Sequence, residues 1–357
     1  MRARATSLAA PCVLACVLAW PLGAQQPAPA IDSIRQSDLR ADLFFLASDQ
    51  MRGRLTGTAE NRLAAEWIKA RFERLGLSPG VQGYFQTYDL ATVSLGRDNA
   101  MTITRPGTAR RQVEHGDGVI AERFSPTARA SGRVVFAGYG ITAEDLGHDD
   151  YRARDLFGGA IVLVVDHEPG ERDPASRFDG VITSDAAGPL KKALAAQAAG
   201  AAGILFAPDV HNHPAAAGQR GGRGGRGGGA WPTGPSRLGR YTLSDWMRQL
   251  RIPAARLTAD LAEELVAGSG RTFAALSESA DTPGGVPAIA LDEVTIDLSI
   301  AVDRQDLKDR NVLAVLEGSD PVLRDEWVVL TAHYDHDGAT DTAIYNGADD
   351  DGSGTVG

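Results

Sequence analysis

Trp327-Val328-Val329-Leu330-Thr331-Ala332-His333-Tyr334-Asp335-His336-Asp337-Gly338 decides how this chain is read. The apolar, β-branched run predicts a buried strand over 327–332. It delivers His333 at the C-terminal end of the strand, where open α/β sheets bind their ligands. A histidine so placed can turn a neutral imidazole nitrogen toward a metal. The carboxylate of Asp335, two residues on, can accept the other ring N–H and fix the tautomer. His336 lies close enough to serve the same site or to be a local residue only.

Further along stands Asn346-Gly347-Ala348-Asp349-Asp350-Asp351-Gly352-Ser353-Gly354. Three successive aspartates repel one another, and a bound dication removes that cost. The Gly-Ser-Gly that follows permits a tight turn. Alone, His333 reads as a satisfied structural histidine, and the aspartates as a solvated turn or a calcium loop. Calcium, however, takes six to eight oxygen ligands and has no use for an imidazole. The His-x-Asp and the aspartate loop together therefore point to zinc. His115, His148, His167, His211 and His213 are scattered and read as surface residues.

Working outward, residues 294–302 alternate apolar and polar, the pattern of a half-buried strand. A second strand is expected over 311–316, followed by a turn at 318–321. The middle of the chain reads strand, helix, strand. Residues 134–137 and 161–165 are apolar strands, 190–199 an Ala-rich helix ended by Gly200, and 203–206 another strand. Ile252-Pro253 closes a strand, and a capped helix runs over 258–266. Toward the N-terminus, 36–50 and 60–75 predict helices. Thr58 is the expected N-cap of the second, Gly76 its stop, and residues 84–90 a strand. The fold class is α/β.

The chain has 357 residues, enough for two domains, with 43% hydrophobic and 23% charged residues, a globular balance. The net charge of −10 excludes general nucleic-acid binding. Arg2 and Arg4, the apolar stretch 8–22 broken by Pro11 and Pro21, and the small residues at Leu22-Gly23-Ala24 predict a cleaved export signal over 1–24 rather than a transmembrane span. The protein is thus expected to be secreted or periplasmic. The only cysteines, Cys12 and Cys16, fall inside the signal, so the mature chain has no disulfide. Acylation of Cys16 as a lipoprotein is the lesser alternative. The tract 218–229, Gly-Gln-Arg-Gly-Gly-Arg-Gly-Gly-Arg-Gly-Gly-Gly, reads as a flexible surface loop rather than an RNA-binding tract.

Taken together, Arg310-Asn311-Val312, Gly318-Ser319-Asp320, Ala332 to His336 and Tyr345 to Gly354 resemble the co-catalytic zinc aminopeptidase and glutamate carboxypeptidase family. Leu46, Gly53-Arg54, Gly57-Thr58, Ala64-Ala65, Phe72, Leu75-Gly76-Leu77 and Gln86-Thr87 resemble that family's opening helices. Gly138-Tyr139-Gly140, the 191–203 helix and the stretch 252–268 look like an inserted protease-associated domain. The resemblance implies an α/β/α peptidase domain in two parts, 25–112 and 286–357, with a smaller α/β insert over 113–285 that roofs the active site and limits substrate size. It implies a peptide or protein substrate and two zinc ions that activate a shared water. His333 corresponds to a zinc ligand, Asp335 to the aspartate that orients it, and Asp350 to the carboxylate bridging both ions. A cis peptide bond is expected at Asp350–Asp351.

The family also uses an adjacent Glu-Glu pair, an Asp and a late His that no residue here matches. The pair Glu263-Glu264 falls on a helix of the insert and is not assigned the role. The chain is therefore expected to be the N-terminal portion of a two-zinc exopeptidase, an aminopeptidase, that stops before its general base and is inactive alone. The alternative is a non-catalytic fragment that binds a protein or peptide through the insert.

Overall fold

Helices α1 (Gln36–Leu46) and α2 (Ala59–Arg74) open the part of the chain that the structure, a computed structural model, describes: residues 34–178, 184–214 and 241–357. The export signal with Cys12 and Cys16, and the tract 218–229, lie outside the described residues. α2 begins as the sequence predicts, with the Thr58 hydroxyl accepting the Asn61 N–H at 3.2 Å. It ends at Gly76, whose φ of +75° suits a residue without a Cβ. Thr58→Ala is expected to remove about 1 kcal/mol of stability, read as a lower urea midpoint. α1 stops at Leu46, earlier than expected, because the chain turns into a short 3-10 segment, Asp49–Arg54.

The strands that follow are β1 (Phe85–Leu95), β2 (Ala100–Thr104), β3 (Arg111–Glu114), β4 (Val119–Ala121), β5 (Ala128–Phe136) and β6 (Ile161–Val165). Helix α3 (Pro189–Ala198) leads to β7 (Gly203–Ala207), and later come β8 (Tyr241–Leu243) and β9 (Ala254–Leu257). Helices α4 (Ala259–Val266) and α5 (Phe273–Ala280) precede the long strands β10 (Ile289–Ile300) and β11 (Val302–Val312). The fold is mixed α/β. Eight strands form one sheet in the order β3-β2-β10-β5-β6-β7-β9-β4. β5, β6, β7 and β9 run parallel, and the other pairings are antiparallel.

The unbroken apolar run of β6 follows from its position at the middle of this sheet. Ile161, Leu163 and Val165 enter the core shared with α4 and α5, while Val162 and Val164 enter the core shared with α3. Successive side chains point to opposite faces, so a strand covered on both faces cannot alternate with polar residues.

β1 pairs along its whole length with β11, from Leu95↔Val302 to Phe85↔Val312, and with β8 on its other edge. β10 and β11 are consecutive, so the chain steps from the large sheet to the small one at Ala301. Asn99 fixes that step: its side chain donates to the carbonyls of Gly96 (2.9 Å) and Ala301 (3.0 Å) and accepts the Ala301 N–H (2.8 Å). β2, β3 and β10 belong to the same sheet as β5 and β6. The expected divisions after residues 112 and 285 therefore run along this sheet, and the change of sheet occurs at residues 96–99 and at 301.

Two expectations are corrected. The strand expected over 311–316 is instead β11, ending at Val312, with a separate short pairing of Ala314 and Val315 to Pro79 and Ser78. Backbone pairing with β1 overrides the polar side chains of Lys308, Asp309 and Arg310. The strand expected over 327–332 is not formed, and His333 therefore does not sit at a strand end. Leu330 is 91% exposed, and among the described residues no strand pairs with this run. An apolar pattern specifies a strand only where a neighbour takes its backbone hydrogen bonds. No described helix is long and apolar enough to cross a membrane.

Candidate metal centre

Arg54 is the only arginine among the described residues with no exposed surface, and its surroundings build the site. Its Nε donates to the Tyr334 carbonyl at 2.8 Å and Nη2 to Gly347 at 2.9 Å. Nη1 reaches both Asn346 (2.7 Å) and the Leu46 carbonyl at the end of α1. The planar fork thus ties the opening helices to the two stretches that carry His333 and Asp350. Burial pushes the guanidinium below its ordinary value, and the Asp335 carboxylate acts in the opposite direction. Gly53 beside it has φ +68°, and an added Cβ would lie 2.3 Å from the carbonyl oxygens of Gly338 and Tyr345. Only glycine fits there. Asn346 completes the junction, its side chain donating to the Ala47 carbonyl and to Asp49 Oδ1, both at 2.9 Å.

On this base the three residues singled out from sequence meet. His333 Nε2 lies 2.8 Å from Asp350 Oδ1. His333 Nδ1 faces the Asp335 backbone carbonyl at 3.0 Å and its carboxylate at 3.4 Å. Both the carbonyl and the carboxylate of Asp335 thus stand on the Nδ1 side of the ring. Asp335 Oδ2 in turn accepts the Thr56 hydroxyl at 2.5 Å. The Thr56 carbonyl accepts the Tyr241 hydroxyl at 3.2 Å, and the next N–H, of Gly57, donates to the buried Asp309 at 2.7 Å. A line of contacts therefore runs from Thr56 through Asp335 and His333 to Asp350. Burial lowers the His333 pKa, but the Asp335 carbonyl, the Asp335 carboxylate and Asp350 outweigh it, and the net direction is upward.

The Asp350–Asp351 peptide is cis, as the resemblance implies. Of the glycines near the aspartates, Gly352 has an ordinary φ of −56°. Gly354 lies close under Asp351, where an added Cβ would come 2.2 Å from the carboxylate and push that side chain aside. The positive φ, +57°, occurs instead at Gly347, against the His336 ring. The His336 N–H donates to the Arg54 carbonyl at 3.3 Å.

An imidazole nitrogen and a carboxylate oxygen converge at hydrogen-bond distance, both half-exposed or more, with the second imidazole nitrogen held from behind. This donor chemistry fits zinc, which accepts neutral imidazole and carboxylate oxygen. Fewer than three such donors meet at this point among the described residues.

The remaining histidines are not all surface residues. His148 is buried, 3.0 Å from Asp150 Oδ2 and edge-on to Phe178. The His115 ring is partly buried, which lowers its pKa. His167 and His213 share the carboxylate of Glu171. In the pair Glu263-Glu264, Glu263 accepts the Phe273 N–H at 2.6 Å and Glu264 is engaged by Arg105 and Arg111, so both are taken up by structural contacts away from His333 and Asp350. Sequence reasoning missed Thr56 and Asp309. They lie 279 and 252 residues from their partners in the chain, and no local pattern marks them.

The sequence model described as "Peptidase family M28" matches residues 311–357. No curated protein matches the chain. Among solved structures, an aminopeptidase from Aneurinibacillus sp. strain AM-1 is similar, with 17% identity over 90% of this chain and 56% of that one, at a TM-score of 0.41. The zinc aminopeptidase BSAP from Bacillus subtilis is similar at 15% identity over 90% of this chain and 55% of that one, with a TM-score of 0.28. The chain spans about half the length of these structures.

Proposed function

We infer that the protein whose segment 311–357 belongs to peptidase family M28 is an exported, zinc-dependent exopeptidase, an aminopeptidase that releases N-terminal residues from peptides. The observation that carries the reading is the approach of His333 Nε2 to Asp350 Oδ1 at 2.8 Å, with Asp335 behind the ring. His333 and Asp350 would hold zinc, and Asp350, with two carboxylate oxygens, would be the one shared if two ions bind. Zinc held there would supply Lewis-acid activation of a water and of the peptide carbonyl. Asp335 keeps the His333 ring in one orientation, and Thr56 keeps Asp335. The described residues bring fewer than the three protein ligands that a catalytic zinc takes, so the activity is proposed for the whole protein.

The test is hydrolysis of leucine p-nitroanilide and of its N-acetylated counterpart by the whole protein, before and after chelation. The expected result is release from the free-amine substrate only, lost on chelation and restored by zinc, with two ions per active molecule by metal analysis. Hydrolysis that survives complete zinc removal, or no hydrolysis of amino-terminal substrates by the zinc-loaded protein, overturns the reading.

A further inference from the structure

A second group of donors lies in the loops after β6 and β7. His167 and Glu171 follow β6, and His213 follows β7. His167 Nδ1 stands 3.1 Å from Glu171 Oε1, and His213 Nε2 stands 2.5 Å from Glu171 Oε2. The three donor atoms lie within 4.8 Å of one another and are the one such group of three among the described residues. Tetrahedral zinc, with bonds of about 2.0–2.2 Å, spaces its ligand atoms roughly 3.3 Å apart. The observed separations, from 2.5 Å up to no more than 4.8 Å, bracket that spacing.

The backbone around the group is held in place. His167 adopts φ +69°, unusual for a residue with a Cβ, and its carbonyl accepts the ammonium of the buried Lys192. The His213 N–H donates to the Asp209 carbonyl at 3.0 Å. The Asp209 carboxylate is buried and accepts the hydroxyls of Tyr139 (2.8 Å) and Ser277 (3.1 Å). The two rings lie 4.3 Å apart at 33°, side by side over the carboxylate they share. Two imidazoles converging on one carboxylate are a donor set for a divalent transition metal. Calcium and magnesium take oxygen instead. Glu171 is 16% exposed, whereas the rings are 38% and 42% exposed, so one side of the group opens to water, as a fourth ligand position requires.

We propose that His167, Glu171 and His213 form a binding site for a divalent transition metal of the zinc type, which clamps the loop after β6 to the loop after β7. The site is separate from His333 and Asp350 and does not depend on the peptidase reading.

The test uses the full chain carrying His333→Asn and Asp350→Asn, both at exposed positions, titrated with Co2+ while the visible ligand-field bands are followed. One equivalent is expected to bind, with bands typical of low coordination number, and Zn2+ is expected to displace it and raise Tm. Adding His213→Asn or Glu171→Gln is expected to weaken Co2+ binding at least tenfold and to abolish the Zn2+-induced rise in Tm. No Co2+ binding by the doubly substituted chain overturns the proposal, whatever the further variants do. Equal binding with and without His213→Asn, in proteins of unchanged circular dichroism, overturns it as well and leaves the three residues as an ordinary ion-paired cluster.

Discussion

Arg54→Met is expected to cost about 3–5 kcal/mol of stability, because a buried group engaged by four carbonyls cannot be removed without leaving them unpaired. Methionine keeps most of the length and the apolar stem but donates nothing. The carbonyls of Leu46, Tyr334, Asn346 and Gly347 would each lose their Arg54 hydrogen bond. Hydrogen bonds to a charged donor are worth roughly 1.5–3 kcal/mol each, and the gain from no longer burying a guanidinium offsets part of the sum. Arg54→Lys should recover little, since one ammonium cannot span the positions served by a planar fork. Urea unfolding followed by tryptophan fluorescence measures the loss. An unchanged midpoint in Arg54→Met would show that the opening helices and the 334–347 stretch hold together without this residue.

Asp350→Ala is expected to behave in the opposite way, abolishing zinc-dependent hydrolysis by the whole protein while leaving the fold intact. The side chain is 67% exposed, so little packing is lost. Its removal deprives His333 of the carboxylate facing it. Replacing a residue that only supports a metal ligand already costs roughly 10–100-fold in metal affinity or activity. Loss of Asp350 should exceed that range, whereas Thr56→Val, which acts through Asp335, should fall within it. Zinc content by metal analysis, together with kcat and KM, separates the two. An Asp350→Ala protein with full zinc content and unchanged kcat would remove Asp350 from the site.

What the sequence made legible follows from range. Thr58 and Gly76 bound their helix as expected because a cap depends on neighbours three residues away. The β6 and β7 runs were readable because burial on both faces leaves a continuous apolar signature. His333 and Asp335 could be singled out because their spacing lies within one short segment, whereas Asp350 was distinguished from its two neighbours only by the family resemblance. The 327–332 run misled because its pattern reports the character of its side chains and not whether a partner strand lies beside it. Glu171 with His167 and His213 stayed hidden because the topology of β6 and β7, not any motif, brings position 213 back to position 171. Thr56 was hidden for the same reason.

The crossing held by Asn99 has an architectural consequence. Gly96 donates its N–H to the Ala301 carbonyl at 2.9 Å, so the chain leaves β1 and returns to β11 at neighbouring points. The described residues between 97 and 300 hang from the closed end of what is otherwise a plain antiparallel hairpin, with the β8 edge and its neighbours Ser244 and Arg248 at Asp306 among the further ties. Such an arrangement gives the chain one place of exit from the small sheet and one of return, side by side. An exchange through that single pair of adjacent breakpoints would leave the register of β1 on β11 uninterrupted, and with it Asp309 under the Thr56-Gly57 turn.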